Sequence, residues 1–167
     1  MSTAFLVIRI IIGLGIAVHG SQKLFGWFGG YGISGTGGFF EGIGFRPGRL
    51  FALAAGLGET GGGVLTFLGL GGALGPVLVV LVMLVAIASV HLGKGFLNDK
   101  GGAEMPLLYI AGALAIAFAG SGAYSLDRLF GLSFLTEPPQ IWYALAAAVV
   151  AAGLNVLARR PPKAAAA

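Results

Sequence analysis

The 167-residue chain contains no cysteine. That absence excludes disulfides, thiolate-ligated iron–sulfur clusters, covalent CxxCH haem attachment and cysteine nucleophiles within the chain. Redox chemistry, if any, must come from a bound cofactor or a partner. Charge is also scarce: Asp, Glu, Lys and Arg make up 10% of the residues, against about 25% in an ordinary soluble domain. Ten Lys plus Arg against six Asp plus Glu give +4, and these basic residues are too scattered to form a nucleic-acid footprint. No nucleic-acid partner is expected. What is abundant is apolar: hydrophobic residues reach 57% and mean hydropathy is +0.94. A water-soluble globule is excluded, and the lipid bilayer is the expected partner.

Five apolar stretches approach the length needed to cross about 30 Å of hydrocarbon at about 1.5 Å per residue. They run from about Ala4 to Leu24, Leu50 to Leu70, Pro76 to Leu92, Pro106 to Gly120 and Ile141 to Ala158, separated by Gly, Pro and charge. The first lacks the basic n-region and small-residue cleavage site of a signal peptide, so it reads as a mature helix. The expected fold is all-α, a polytopic transmembrane helical bundle with a four-helix core and a more peripheral fifth helix at the C-terminus.

Positively charged flanks resist translocation. With five crossings, Lys23, Arg46, Arg49, Lys94, Lys100, Arg159, Arg160 and Lys163 fall on one side and only Arg128 on the other. This asymmetry predicts an outside N-terminus and a cytoplasmic C-terminus. The Ala-rich tail after Pro161-Pro162 is expected to be disordered unless a partner holds it.

The segment from Lys23 to Arg49 mixes ten glycines with Phe25, Trp27, Phe28, Tyr31, Phe39, Phe40 and Phe45. Trp and Tyr favour the headgroup level, while Gly lets the backbone turn tightly. The segment is either an interfacial aromatic belt or a lid over a ligand pocket. Gly56, Gly58, Gly61, Gly62 and Gly63 cluster around Glu59 and read as a surface for close helix packing. A phosphate-binding loop is excluded there, because no GK[ST] follows.

An ionisable side chain in mid-membrane costs several kcal/mol, so Arg9, His19, Glu59 and His91 need partners or a wet cavity. At about 100° per residue, Arg9, Gly13, Ile16 and Gly20 share one helical face, with Lys23 within about 40° of Arg9 and His19 about 80° away. Alternating helix directions put His19 and His91 at a similar depth on the cytoplasmic side. Glu59 lies about 13 Å into its span and Arg9 about 8 Å from the outer end, so an Arg9–Glu59 ion pair is expected. Such a pair either neutralises two buried charges or makes Glu59 a proton acceptor.

Three readings compete for His19 and His91. Each donates to a backbone carbonyl or sits at the wet interface, or one bonds a quinone carbonyl, or the two ligate a b-type haem. Two histidines on separate helices are a weak haem signal, so haem b is not expected. No metal site is expected either, since the short ligand spacings of metal motifs are missing.

Arg9, then the run His19-Gly20-Ser21-Gln22-Lys23-Leu24-Phe25-Gly26-Trp27-Phe28-Gly29-Gly30, then Gly35-Thr36 and Phe39-Phe40, resemble the opening of the DoxX family of small membrane proteins. Glu59 with Gly62-Gly63, Met83-Leu84-Val85-Ala86, His91, Gly95-Phe96, Glu104-Met105-Pro106-Leu107-Leu108 and Tyr124-Ser125-Leu126-Asp127 extend the likeness over about residues 4 to 131. The resemblance implies a DoxX-like four-helix domain over 1–131 in the bacterial inner membrane. An additional transmembrane helix over 132–158 and a basic, Ala-rich tail over 159–167 lie outside it. The family takes its name from membrane subunits of a thiosulfate:quinone oxidoreductase, and other members are associated with oxidative-stress or thiol-redox systems. Its matching polar positions here are Arg9, His19, Lys23, Glu59 and His91.

Two functions follow from these residues and this likeness. In the first, the chain is an integral membrane subunit of a redox system that accommodates a quinone while a protein partner supplies electrons. Glu59, His19 and His91 are then the candidate catalytic residues, with Arg9 biasing the charge of Glu59. Arg9, His19, Lys23, Trp27, Phe28 and His91 form the candidate quinone pocket. In the second, the chain is a non-enzymatic scaffold or accessory subunit of a larger membrane complex. A small-solute transporter has less support, because no convincing inverted repeat relates the two halves.

Overall fold

The computed structural model of the chain describes residues 2–132, 135 and 137–160. Among these residues there are seven α-helices and no strand: α1 (Ser2–Phe25), α2 (Gly32–Gly42), α3 (Gly48–Leu68), α4 (Leu74–Ala86), α5 (Glu104–Ala119), α6 (Leu126–Leu129) and α7 (Pro138–Leu157). A π-turn over Ile87–His91 carries α4 onward. Pro76, Pro106 and Pro138 all sit in the first turns of their helices. Proline is tolerated there because the first N–H groups have no intrahelical acceptor. α3 stops at Gly69, whose φ of 60° suits a residue without a side chain.

The helices α1, α3, α4 with its π-turn, and α7 are long and apolar enough to cross a membrane. α5 is apolar but has only 16 residues, about 24 Å at 1.5 Å per residue. α1 packs on α3, α3 on α4, α4 on α5, and α5 back on α1, closing a four-helix ring; α7 packs on α4 from outside it. The five apolar stretches read from the sequence thus coincide with five helices, in the all-α arrangement expected. Ile16, Val79, Ala113 and Ala117 form the core with Ile141, Leu145 and Ala148 of α7.

The α1–α3 seam is made of glycine. A Cβ on Gly63 would stand 2.6 Å from the Gly13 carbonyl oxygen and 2.6 Å from the Ala17 nitrogen. Gly20 meets Gly56 and Thr60 in the same way one helical stretch further along. Such close backbone approach favours small residues in membrane helices. Arg9, Gly13, Ile16 and Gly20 are all buried, as their shared face predicted. The glycines of α3 serve two seams, because Gly58 and Gly62 face Val82 and Leu78 of α4.

α2 is absent from the sequence expectations. Its sequence GISGTGGFFEG carries little intrinsic helix propensity, so packing against α3 must hold it. A Cβ on Gly37 would lie 3.1 Å from the Arg49 Cα, and Glu41 Oε1 accepts a hydrogen bond from the Gly48 N–H at 3.1 Å, tying α2 to the start of α3. At the same end Arg160 N–H donates to the Gly44 carbonyl at 2.7 Å and Arg159 Nε to Ile43 O at 3.0 Å. The end of α7 is therefore stitched to the α2–α3 loop. Lys163 and the rest of the tail, residues 161–167, lie outside the described residues.

Candidate functional site

One end of the bundle buries Arg9 and Asp127, the other buries Glu59, and Arg9 and Glu59 are not paired. Arg9, on α1, is 2% exposed. Its Nε donates to Thr66 O at 3.1 Å and its Nη2 to Phe67 O at 2.7 Å. Its Nη1 donates to Ser121 O at 2.6 Å and Tyr124 O at 2.9 Å. Thr66 and Phe67 belong to the last turn of α3, where free carbonyls favour a cation. Beside it, Asp127 accepts from the Gly71 and Gly72 N–H groups at 2.8 Å each and from Ser121 Oγ at 3.3 Å. The guanidinium and the carboxylate together clamp the α3–α4 and α5–α6 connections.

The expected Arg9–Glu59 pair is not formed. α1 and α3 run antiparallel with Gly13 opposite Gly63 and Gly20 opposite Gly56. That register sets Arg9 level with the end of α3 and Glu59 level with His19 and Gly20, about 15 Å apart along the seam. A guanidinium cannot span that distance. Glu59, 5% exposed, instead accepts from Lys23 Nζ at 2.6 Å through Oε2, a charge-assisted hydrogen bond. Its Oε1 has no partner among the described residues.

Next to this pair lies a cavity of about 300 Å³, bounded by α3, α4 and α7 and covered by α2. Phe39 and Phe40 of α2, Phe45 of the following loop and Phe51 of α3 give it an aromatic wall. Leu81, Val82 and Val85 of α4 add to the apolar lining, together with alanines of α3 and α4 and Val90. Its polar groups are Lys23, Glu59, Ser89, His91 and Asn155. A second, outer cavity of about 550 Å³, under Gln22, Gly30 and Tyr31, shares Lys23, Phe39 and Phe40 with the first. Lys23 therefore stands where the two meet.

His91 ends the π-turn, a helical irregularity that recurs at functional sites. Its Nδ1 lies 2.7 Å from the Gly101 carbonyl oxygen. Because a carbonyl only accepts, Nδ1 carries the proton, and Nε2 is the ring atom left for another partner.

Of the predicted site residues, the structure brings Lys23, Glu59 and His91 together. His19 lies outside the cavity, exposed, with its ring edge-on to Tyr109 of α5 at 6.1 Å between centroids. Trp27 and Phe28 do not wall the pocket as expected: they are 59% and 68% exposed, in a 3₁₀ turn where Trp27 leans on Phe25. Arg9 is at the opposite end. Among the described residues, no group of three or more His, Cys, Asp or Glu is gathered for a metal ion.

The glycine-rich segment divides between its two readings. Phe25, Trp27, Phe28 and Tyr31 are exposed at the end of the bundle, while α2 covers the cavity with Phe39 and Phe40. Sequence reasoning missed Ser89, Phe51 and Asn155. Only Asn155 leaves a signal, as the one polar side chain between Tyr143 and Arg159.

A family model described as DoxX matches residues 4–92, just over half of the chain. The likeness read beyond residue 92 falls outside that match. No curated protein and no solved structure matches the chain. The matched range contains α1 to α4, the π-turn and every cavity-lining residue except Asn155. This multi-pass membrane protein belongs to the DoxX family.

Proposed function

We propose that the protein is the quinone-binding membrane subunit of a redox system in the bacterial inner membrane, with electrons delivered by a partner protein. The observation that carries this reading is one cavity combining a four-phenylalanine wall with Lys23, Glu59 and His91. Its volume of about 300 Å³ is at the lower end of small-molecule sites, about 300–1,000 Å³, which are mostly apolar with a few convergent polar groups. A quinone ring with two carbonyl oxygens suits such a lining. The charge asymmetry of the flanks supports a cytoplasmic position for this end of the bundle, with the N-terminus outside.

A bound quinone supplies the acceptor chemistry, taking up two electrons and two protons to become the hydroquinone. The electrons come from a reduced flavin or metal centre of the partner. His91 is held by Gly101 through its Nδ1–H, so Nε2 donates to a quinone carbonyl oxygen, and can supply the second proton, as the imidazolium, and accepts from the hydroquinone hydroxyl once the ring is neutral. Lys23 holds one carboxylate oxygen of Glu59 and leaves the other able to hold a proton for transfer. The phenylalanine rings exclude water and stack on the ligand.

The test is saturable binding of decylubiquinone to the purified protein in lipid nanodiscs, followed by quinone reduction with the copurified partner. Glu59→Gln and His91→Gln lower reduction while the protein accumulates normally, and His19→Phe, outside the cavity, leaves it unchanged. Normal turnover by Glu59→Gln removes the proton-transfer role. Absence of saturable binding by the wild type, with only structural proteins copurifying from native membranes, moves the assignment to a scaffold.

A further inference from the structure

α7 lies outside the matched family segment, yet it completes the cavity. From Ala144 to Ala158 its side chains are all apolar except Asn155, and that residue lines the cavity beside Glu59 and His91. Asn155 is half-buried, and its amide makes no hydrogen bond to another described residue. An amide in a membrane helix without a partner is costly. Nothing about this helix requires a polar residue there, since Leu154 and Val156 flank it and Ala151 and Ala152 stand one turn before it.

The register of Asn155 is also held. Arg159 follows four residues later, just beyond the end of α7. Arg159 Nε donates to Ile43 O at 3.0 Å, and its guanidinium lies 5.5 Å from the centre of the Phe45 ring. Phe45 is itself 2% exposed and part of the cavity wall. The clamp that ties α7 to the α2–α3 loop therefore sets the amide against the cavity.

We propose that Asn155 is a ligand-binding residue of this cavity, its amide N–H donating to a carbonyl oxygen of the bound quinone, so that α7 adds to the site a contact that the family segment lacks. The inference rests on the quinone reading and adds the residue that distinguishes ligands bearing an oxygen at that edge. An apolar replacement removes one neutral hydrogen bond, and decylubiquinone binding to Asn155→Leu in nanodiscs is expected to weaken about tenfold.

The absence of native cysteine makes a second measurement clean. The Asn155→Cys thiol is expected to react with a small cationic methanethiosulfonate, and decylubiquinone is expected to slow that reaction. Leu154→Cys, on the exposed face of α7, stays unreactive in lipid. Should Asn155→Leu fold poorly, protection of the Asn155→Cys thiol decides the matter alone. Decylubiquinone binding at wild-type affinity to Asn155→Leu, or an Asn155→Cys thiol left unprotected while the quinone binds, overturns the role of Asn155 and leaves the quinone site standing. Failure of the wild type to bind decylubiquinone overturns both.

Discussion

Arg9 and Glu59 face the same difficulty, a charged side chain withdrawn from water inside a membrane bundle, and the two ends of the molecule meet it differently. At one end four guanidinium N–H groups are directed at four carbonyl oxygens, and Asp127 braces the same connections. At the other, Glu59 has a single partner in Lys23, and the groups around it border a cavity. Buried polar groups are nearly always satisfied, so a saturated charge needs nothing beyond the chain, whereas an unsaturated one leaves work for a ligand or water. Burial of a charge alone does not mark a functional site. The difference lies in how many of its hydrogen bonds the protein itself supplies.

The largest effect expected from this contrast is at Arg9. Arg9→Met leaves a cluster of carbonyls and Asp127 without their cation, a loss of about 3–5 kcal/mol where a buried charged partner is removed. Thermal unfolding in detergent should show a large drop, while decylubiquinone affinity per folded molecule stays unchanged. Arg9→Lys should not rescue it, because an ammonium lacks the planar fork that reaches both loops. A variant that folds normally but loses ligand affinity would break the division between the two ends.

A smaller loss is expected at the glycine seam that both ends share. Gly63→Ala sets a methyl group against the Gly13 carbonyl and Ala17 nitrogen at 2.6 Å, and overpacking of this kind costs about 1–3 kcal/mol. Gly61, two positions away, has nothing within 4 Å of such a methyl group. Gly61→Ala should therefore be neutral or slightly stabilising, by up to about 1 kcal/mol of helix propensity. Equal losses in unfolding experiments on the two variants would show that the seam is not close-packed.

Next comes the Lys23–Glu59 pair, measured as a double-mutant cycle. Lys23→Met and Glu59→Gln each strand one partner, and the double variant should recover about 1–2 kcal/mol relative to their sum. Zero coupling in thermal unfolding would mean that the 2.6 Å contact is no stronger than a solvated pair.

Much of this contrast could be read from the sequence, and its failures have a physical pattern. Helical faces are set by a local period, so the inward face of Arg9, Gly13, Ile16 and Gly20 was legible, as were five helices in an apolar chain. Glu59 and His91 were legible as polar exceptions in apolar spans, and Lys23 as a flanking charge and a position of the family likeness. Their pairing was not, because the axial register of α1 against α3 is decided by glycine contacts between distant segments. Trp27 and Phe28 lie close to Lys23 in sequence but not in the cavity. The chain leaves that direction at Gly26, whose φ is 74°, and only α2 returns aromatics to the cavity. Asp127 becomes visible as a partner of the Gly71 and Gly72 N–H groups only when the bundle is assembled, and Asn155 is marked in the sequence only by its isolation among apolar residues.

The aromatic residues allow the smallest and most selective test. Trp27 and Phe28 are exposed beyond the cavity, so removing their side chains should cost no ligand affinity. Phe28 also holds φ at 52° and ψ at 37°, a left-handed conformation costing an L-residue roughly 1–2 kcal/mol. Phe28→Gly relieves that strain but loosens the unfolded chain by roughly 0.5–1 kcal/mol, for a net gain of a few tenths to about 1 kcal/mol. Trp27→Ala, an exposed substitution, should stay within about 0.5 kcal/mol of the wild type. Phe40→Ala, by contrast, opens the wall shared by both cavities and should weaken decylubiquinone binding severalfold. If Trp27→Ala proves as damaging to binding as Phe40→Ala, the ligand rests in the outer cavity beneath the 3₁₀ turn rather than beside Glu59, and the saturated and unsaturated ends no longer divide structure from function.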